Sequence, residues 1–344
     1  QRQMCIRDRM NIFKECHMEC IEMPIEGFEA GNIYAVLKGH TNKEPLMFSG
    51  HMDTVSPGKG KQAIIHEDGR ITSDETTVLG ADDVSALASY IEAIRTIKEN
   101  DLPHGDIELA ISVAEEPYDV GSAYYDFSCI KSRIAYTFDL AGQVGLAALE
   151  APSIISFKVN VKGKSAHAGF NPEDGIHALK IAASAMYRIP NGHVNDKTTV
   201  NFGTIQGGEG RNIVPREVVI TGEIRSFDHQ DALKWSKHIH TVFKEEANKE
   251  HASIEYDDYV HIEAYKINED EEVVERFKHA CHNLQLTPRL ISTHGGSDNN
   301  RYVKEGIRRI VVACAMNDCH SVSEYTTIDE LEKSALLALH LMIG

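Results

Sequence analysis

Residues 153–161, SIISFKVNV, alternate apolar side chains (Ile155, Phe157, Val159, Val161) with polar ones (Ser156, Lys158, Asn160). A period of two is what a strand with one buried face requires. The segments before it read differently. Residues 31–38 (GNIYAVLK), 45–50 (PLMFSG), 106–113 (DIELAISV) and 134–138 (IAYTF) are mostly apolar, β-rich runs, as strands covered on both faces are. Between them, 83–98 (DVSALASYIEAIRTIK) sets Val84, Leu87, Ala88, Ile91 and Ile94 on one helical face. Strand, helix, strand, strand predicts helices packed over a largely parallel sheet. From residue 153 the order becomes strand, helix 175–188, strands 198–206 and 216–226, helix 229–248 and strand 253–260. This is βαββαβ, the ferredoxin-like split pattern, a complete small domain. A helix at 269–284, a strand at 307–315 and an amphipathic helix at 327–343 then resume the first grammar. The expected fold is therefore α/β, with a largely parallel sheet flanked by helices and an inserted βαββαβ domain. One domain is built from 10–151 and 262–344, and the insertion covers 152–261. Residues 1–9 (QRQMCIRDR) match neither a helix stripe nor a strand and look like translated sequencing-adapter read-through, so they are set aside as non-native. Met10 then opens the interpretable chain, downstream of a missing N-terminal helix.

The 344 residues suit two domains, and 42% hydrophobic with 25% charged residues excludes a disordered chain. Lys+Arg 35 against Asp+Glu 52 leaves a net charge of −17, which disfavours nucleic acid and anionic membrane surfaces as partners. No apolar run reaches the roughly 18 residues of a membrane span, and no signal peptide opens the chain. The seven cysteines are odd in number and scattered, the pattern of reduced thiols in the cytoplasm.

Chemistry-bearing residues fall at the ends of expected strands, where α/β sheets place ligands. Ser49-Gly50-His51-Met52-Asp53 follows the second strand, and in extended backbone residues two apart point the same way. Asp53 can thus accept the outer N–H of His51 and leave its other nitrogen for a metal; a surface His near an acid is the plainer alternative. Asp82, in Gly80-Ala81-Asp82-Asp83, opens a helix, and on its own it reads as an N-cap. Glu115-Glu116 follow the strand 106–113, with Pro117 shaping the turn, and adjacent carboxylates repel unless positive charge sits between them. Asp139 ends the strand 134–138, and His320 lies shortly after 307–315, followed by Glu324. Singly each has a structural explanation. Together Asp53, Asp82, Glu115, Glu116 and Asp139 carry −5, which two divalent cations would bring to about −1. Imidazole mixed with carboxylate suits zinc, with cobalt or manganese as substitutes, and an acid beyond the ligand count can serve as general base. The joint reading is a two-metal hydrolase.

These motifs resemble the dinuclear-zinc exopeptidase family that includes tripeptidase T, glutamate carboxypeptidase and the aminoacylases, closest to its peptidase T-like branch. The resemblance runs from about residue 31 to the C-terminus. It implies that His51, Asp139 and the bridging Asp82 hold one zinc, and that Asp82, Glu116 and His320 hold the second. It implies Glu115 as general base and Asp53 as the residue orienting His51. Gly163-Lys164-Ser165-Ala166-His167-Ala168-Gly169 is similar to the segment whose His stabilises the oxyanion, often in a neighbouring subunit. Asn212, in Arg211-Asn212-Ile213-Val214-Pro215, and Arg225, in Glu223-Ile224-Arg225, match substrate contacts, the Arg gripping a carboxylate. Gly296 and Ser297, in Gly295-Gly296-Ser297-Asp298, match a loop lining the substrate pocket. Val84-Ser85-Ala86 and His294 depart from the family, the latter standing where tripeptidases often carry Arg.

The resulting expectation is a cytoplasmic exopeptidase acting on short peptides, tripeptidase-like and attacking from the free N-terminus, with the inserted domain as a lid that can join two copies into a homodimer. Two alternatives stand beside it: an amidohydrolase of N-acyl amino acids, and a non-catalytic dimeric interaction module. Cys16-His17-Met18-Glu19-Cys20 lacks a second ligand pair and Gly207-Gly208-Glu209-Gly210 lacks the Lys of a phosphate loop. Cys319, beside His320, is expected to be a buried thiol.

Overall fold

The computed structural model describes residues 2–303 and 305–344. In chain order the elements are α1 (Arg2–Glu15), β1 (Glu19–Met23), β2 (Asn32–Leu37), β3 (Leu46–His51), β4 (Ile64–Ile65), β5 (Arg70–Thr72), α2 (Ala81–Glu99), β6 (Ile107–Ser112), β7 (Ile134–Leu140) and β8 (Leu146–Ala151). They continue as β9 (Ser153–Lys162), α3 (Ala178–Arg188), β10 (Gly192–His193), β11 (Thr198–Gly207), β12 (Glu217–Ser226), α4 (His229–Lys249) and β13 (Ser253–Ile262). The chain closes with β14 (Tyr265–Lys266), α5 (Glu272–Asn283), β15 (Arg289–Ser292), α6 (Asn299–Tyr302), β16 (Arg308–Ala313), β17 (Tyr325–Thr327) and α7 (Ile328–Ile343). Two compact units result, one from residues 1–150 and 266–344, the other from 151–265.

In the first unit the sheet runs β1-β2-β6-β3-β7-β16-β8. The centre, β6-β3-β7-β16, is parallel, whereas β2 joins β6 and β8 joins β16 antiparallel. Strands β2, β3 and β6 are buried along their whole length, which explains their unbroken apolar sequence. The chain leaves β3 through α2 to β6 on one side, then returns to β7 on the other. The strand order reverses beside β3, and the carboxyl ends of β3, β6 and β7 frame the crevice where such sheets bind ligands. An aromatic cluster locks this centre. Phe48 packs on Tyr90 and Tyr136, and Tyr90 on Phe138, at centroid separations of 5.6, 5.7 and 5.1 Å. The Tyr90 hydroxyl donates to the Ser49 carbonyl (2.7 Å) and accepts from the Phe138 amide (3.2 Å), tying α2 to both β3 and β7.

The second unit is an antiparallel sheet ordered β10-β11-β12-β9-β13. Helices α3 and α4 cover its apolar face, where Ile155, Phe157, Val159 and Val161 of β9 meet Ile181, Ala185, Ile239 and Phe243. The βαββαβ order is present as β9-α3-β11-β12-α4-β13.

One part of the N-terminal expectation is corrected: a helix spans Arg2–Glu15, so residues 2–9, which match no helix stripe in the sequence, are helical; Gln1 lies outside the described residues. The segment shows no apolar stripe because its described anchors come late: Phe13 is buried in the last turn, with Cys16 and Met18 just beyond. Strand β1 and the β4–β5 hairpin, neither expected, add an edge pairing to β2 and a small sheet with β17.

Candidate metal centre

His51 is the last residue of β3, not a residue beyond it, and is fully buried. Its backbone N–H donates to the Asp83 carboxylate at 3.1 Å. The ring is held on both nitrogens. Nδ1 donates to the Asp53 carbonyl at 3.2 Å, with the Asp53 carboxylate at 3.5 Å, and Nε2 lies 3.0 Å from Asp82 Oδ1. Glu115 and Asp139 each approach the same Nε2 at 3.8 Å. Gly50 is required by this packing, because a Cβ there would strike the Asp83 carboxylate.

Asp82 is no helix N-cap. Gly80, with φ 78°, holds the cap position without a side-chain cap bond, and Asp82 and Asp83 both have non-helical backbone. The freed carboxylate of Asp82 faces two imidazoles, with Oδ1 toward His51 and Oδ2 3.3 Å from His320 Nε2. His320 Nε2 is also 3.0 Å from Glu116 Oε2, while the ring stays open to solvent. Two sets of ligand atoms converge within 4.8 Å: His51, Asp82 and Glu116, and His51, Glu115 and Asp139.

Supports appear that the sequence did not reveal. The Asp53 carboxylate accepts the backbone N–H of Glu115 (3.0 Å) and of Glu116 (3.2 Å), one on each oxygen, so it places the acidic pair as well as touching His51. Glu324, buried, accepts the amides of Gly80 (2.6 Å) and Asp82 (2.9 Å), holding the turn that carries Asp82. Beneath Glu115 lie the buried acids Asp119 and Asp298, the latter bonded by the Ser112 hydroxyl. In the sequence Glu324 stood out only as an acid four residues after His320, and Asp298 only as the end of the Gly295-Gly296-Ser297-Asp298 loop; nothing local marked Asp119.

Electrostatics follow from this crowding. Burial, then the Asp139 charge, pushes Glu115 well above the usual carboxylate range, and burial with Asp82 raises Glu116. Asp139 is raised by burial and by Asp82 and Asp83. Burial followed by Asp298 lifts Asp119 to about 8. Burial would raise Asp82 and Asp53, but the imidazole contacts hold both below the usual range. The Asp82 contact raises His320, and hydrogen bonds to Asp53 and Asp82 overcome burial to raise His51.

Gly296 is half-buried and Ser297 buried within the first unit, the Ser297 amide donating to Asn300 Oδ1 at 3.2 Å. His167, Asn212 and Arg225 belong to the second unit. His167 and Asn212 are exposed and neighbouring, for the Ala168 amide donates to the Asn212 carbonyl at 3.0 Å. Arg225, on β12, lays its Nε on Glu223 Oε1 at 2.8 Å. Cys319 is half-buried, not buried, because its loop emerges beside the exposed His320.

These features define an α/β protein whose parallel-strand ends gather a mixed imidazole and carboxylate cluster of metal-ligand character. Comparison with known proteins agrees. Residues 149–251 match the M20 peptidase dimerisation domain and residues 32–153 match peptidase family M28. An aminopeptidase PepT from Bacillus cereus is 34% identical with a TM-score of 0.91, and a tripeptidase from Staphylococcus aureus is 30% identical with 0.94. Each alignment covers 98% of this chain and 91% of the other. The uncharacterized protein YqjE of Bacillus subtilis is 36% identical over 313 residues, 91% of this chain and 84% of that one. The chain belongs to the M20 peptidase family, in its peptidase T-like branch.

Proposed function

We propose that this chain is a dinuclear zinc exopeptidase that removes residues from the free N-terminus of short peptides, as a tripeptidase-like aminopeptidase. One observation carries the reading: a single carboxylate, Asp82, offers one oxygen to His51 and the other to His320, so two ion sites can share it. The surroundings fit a cation. Glu116 Oε1 is buried without a hydrogen-bond partner, and the raised carboxylates around it are relieved by added positive charge. His51, Asp82 and Asp139 would hold one ion, and Asp82, Glu116 and His320 the other. Imidazole nitrogen with carboxylate oxygen favours zinc, and cobalt or manganese are the substitutes.

Once bound, the ions would supply a water of lowered pKa and polarise the scissile carbonyl. The chain's own residues do the rest. Glu115 takes the proton of the attacking water and delivers it to the leaving amine, the role open to an acid beyond the ligand count that stands beside both ligand sets. Asp53 keeps Glu115 and Glu116 in place through their amides and steadies the ring of His51. His167 donates to the developing oxyanion, while Asn212, Arg225, Gly296 and Ser297 contact substrate. The match of 149–251 to a dimerisation domain supports a homodimer through the inserted domain. We place the protein in the cytoplasm, a reading supported by its six described cysteines being free; among the described residues no helix is long and apolar enough to cross a membrane.

The test is metal analysis joined to a panel of free and N-acetylated di- and tripeptides, with and without chelator. Two metals per chain and chelator-sensitive cleavage of free tripeptides are expected. Preference for N-acetylated substrates would replace the reading with an amidohydrolase, and absence of turnover with every metal would leave a non-catalytic relative.

A further inference from the structure

The loop that carries His167 controls the state of its ring. His167 Nδ1 faces two amides of its own segment, accepting the N–H of Gly169 at 3.1 Å and of Phe170 at 3.2 Å. A ring nitrogen that accepts from N–H donors presents its lone pair there, so the proton of the neutral imidazole sits on Nε2. The backbone around the ring is tied on both sides. The Val214 amide donates to the Ala166 carbonyl (2.9 Å), the Ala168 amide to Asn212, and the Asn171 amide to the His167 carbonyl (3.2 Å).

The third constraint is Phe170. Its ring stacks on the imidazole with centroids 4.3 Å apart and planes at 26°. Phe170 is 85% exposed, so core packing does not account for an aromatic at this position. What it covers is one face of His167. An exposed neutral histidine ordinarily exchanges tautomers and turns about its Cβ–Cγ bond. A donor that must meet charge as it develops acts best when its direction is set beforehand.

We propose that Phe170 is a positioning residue which, together with the amides of Gly169 and Phe170, fixes His167 as an Nε2–H donor of one orientation. The kinetic consequence rests on the peptidase reading above; the tautomer and the ring geometry do not. Aromatic stacking of this kind sets the expected size of the effect at about 2- to 10-fold in rate.

The experiment uses full-length, metal-loaded protein and its Phe170→Ala, Phe170→Leu and Phe170→Tyr variants. Nitrogen-15 spectra of the His167 ring should show a bare Nδ1 and a protonated Nε2 in the parent. Phe170→Ala should average the ring signals and lower kcat by about 2- to 10-fold, with KM and metal content unchanged. Phe170→Tyr should restore kcat and Phe170→Leu should not. A parent ring protonated on Nδ1 overturns the proposal, as does Phe170→Ala with an unaltered kcat. A raised KM at constant kcat also overturns it, since Phe170 would then be a substrate contact. If the parent cleaves no peptide, the functional reading fails separately, and the nitrogen spectra of parent and Phe170→Ala decide this proposal alone.

Discussion

Replacing Glu324 should weaken metal binding without removing any ligand. This carboxylate, buried in the loop between His320 and β17, spends one oxygen on the Gly80 amide and the other on the Asp82 amide. A hydrogen bond to a charged acceptor contributes about 1.5–3 kcal/mol, so the pair represents about 3–6 kcal/mol before the turn relaxes. Glu324→Ala strands two amides and frees the turn that aims Asp82 at both imidazoles. Part of the loss should appear as stability, lowering the melting temperature of the metal-free protein by several degrees, at about 2–4 °C per kcal/mol for a domain of this size. The remainder should appear as a roughly 10- to 100-fold weaker affinity for zinc, the usual effect of removing a residue that supports a ligand. Glu324→Gln keeps one acceptor but turns an amide NH₂ toward the other donor, so it should fall between. Competition titration of the three proteins against a chromophoric chelator measures the affinity order, and melting after chelation measures the stability. If Glu324→Ala binds two zinc ions as tightly as the parent and melts at the same temperature, the turn does not depend on Glu324 and the reasoning is wrong.

Glu115→Gln should retain both metals by elemental analysis yet lose at least about 10²-fold in turnover, and comparable activity would remove the general-base role. Tyr90→Phe leaves the Ser49 carbonyl and the Phe138 amide without a buried partner, so urea unfolding should register a loss of about 1–3 kcal/mol. The metal-free protein should also become less stable as pH rises. Glu115, Asp139 and Asp119 keep protons in the folded state that the unfolded chain releases near pH 4; the stability this confers is complete below that pH and lost as pH passes the folded values, about 8 for Asp119. Melting of chelated protein across that window, compared with zinc-loaded protein, checks the sign, and a rise with pH in the chelated sample would contradict it.

Much of the architecture is written locally. The alternation in SIISFKVNV reflects a strand, β9, with helices on one face. The continuous apolar run Leu46–Phe48 reflects a strand covered on both. The chemistry-bearing residue types are also visible, because histidines and acids just beyond apolar runs stand where a parallel sheet ends. Helix α1 escaped this reading because its described anchors lie at its C-terminal end, and strand β1 because it is largely exposed.

By itself, then, the order of amino acids determined the succession of elements and the kinds of donor available, since periodicity and residue type are properties of short stretches. Which donors meet was decided by the tertiary structure. The reversal of strand order beside β3 brings Asp82, Glu115, Asp139 and His320 to His51 across as many as 269 positions (320 − 51), and it sets Asp53 beneath two amides and Glu324 beneath two more. Hydrogen bonds and charge act over a few ångströms in space, and distance along the chain does not register them.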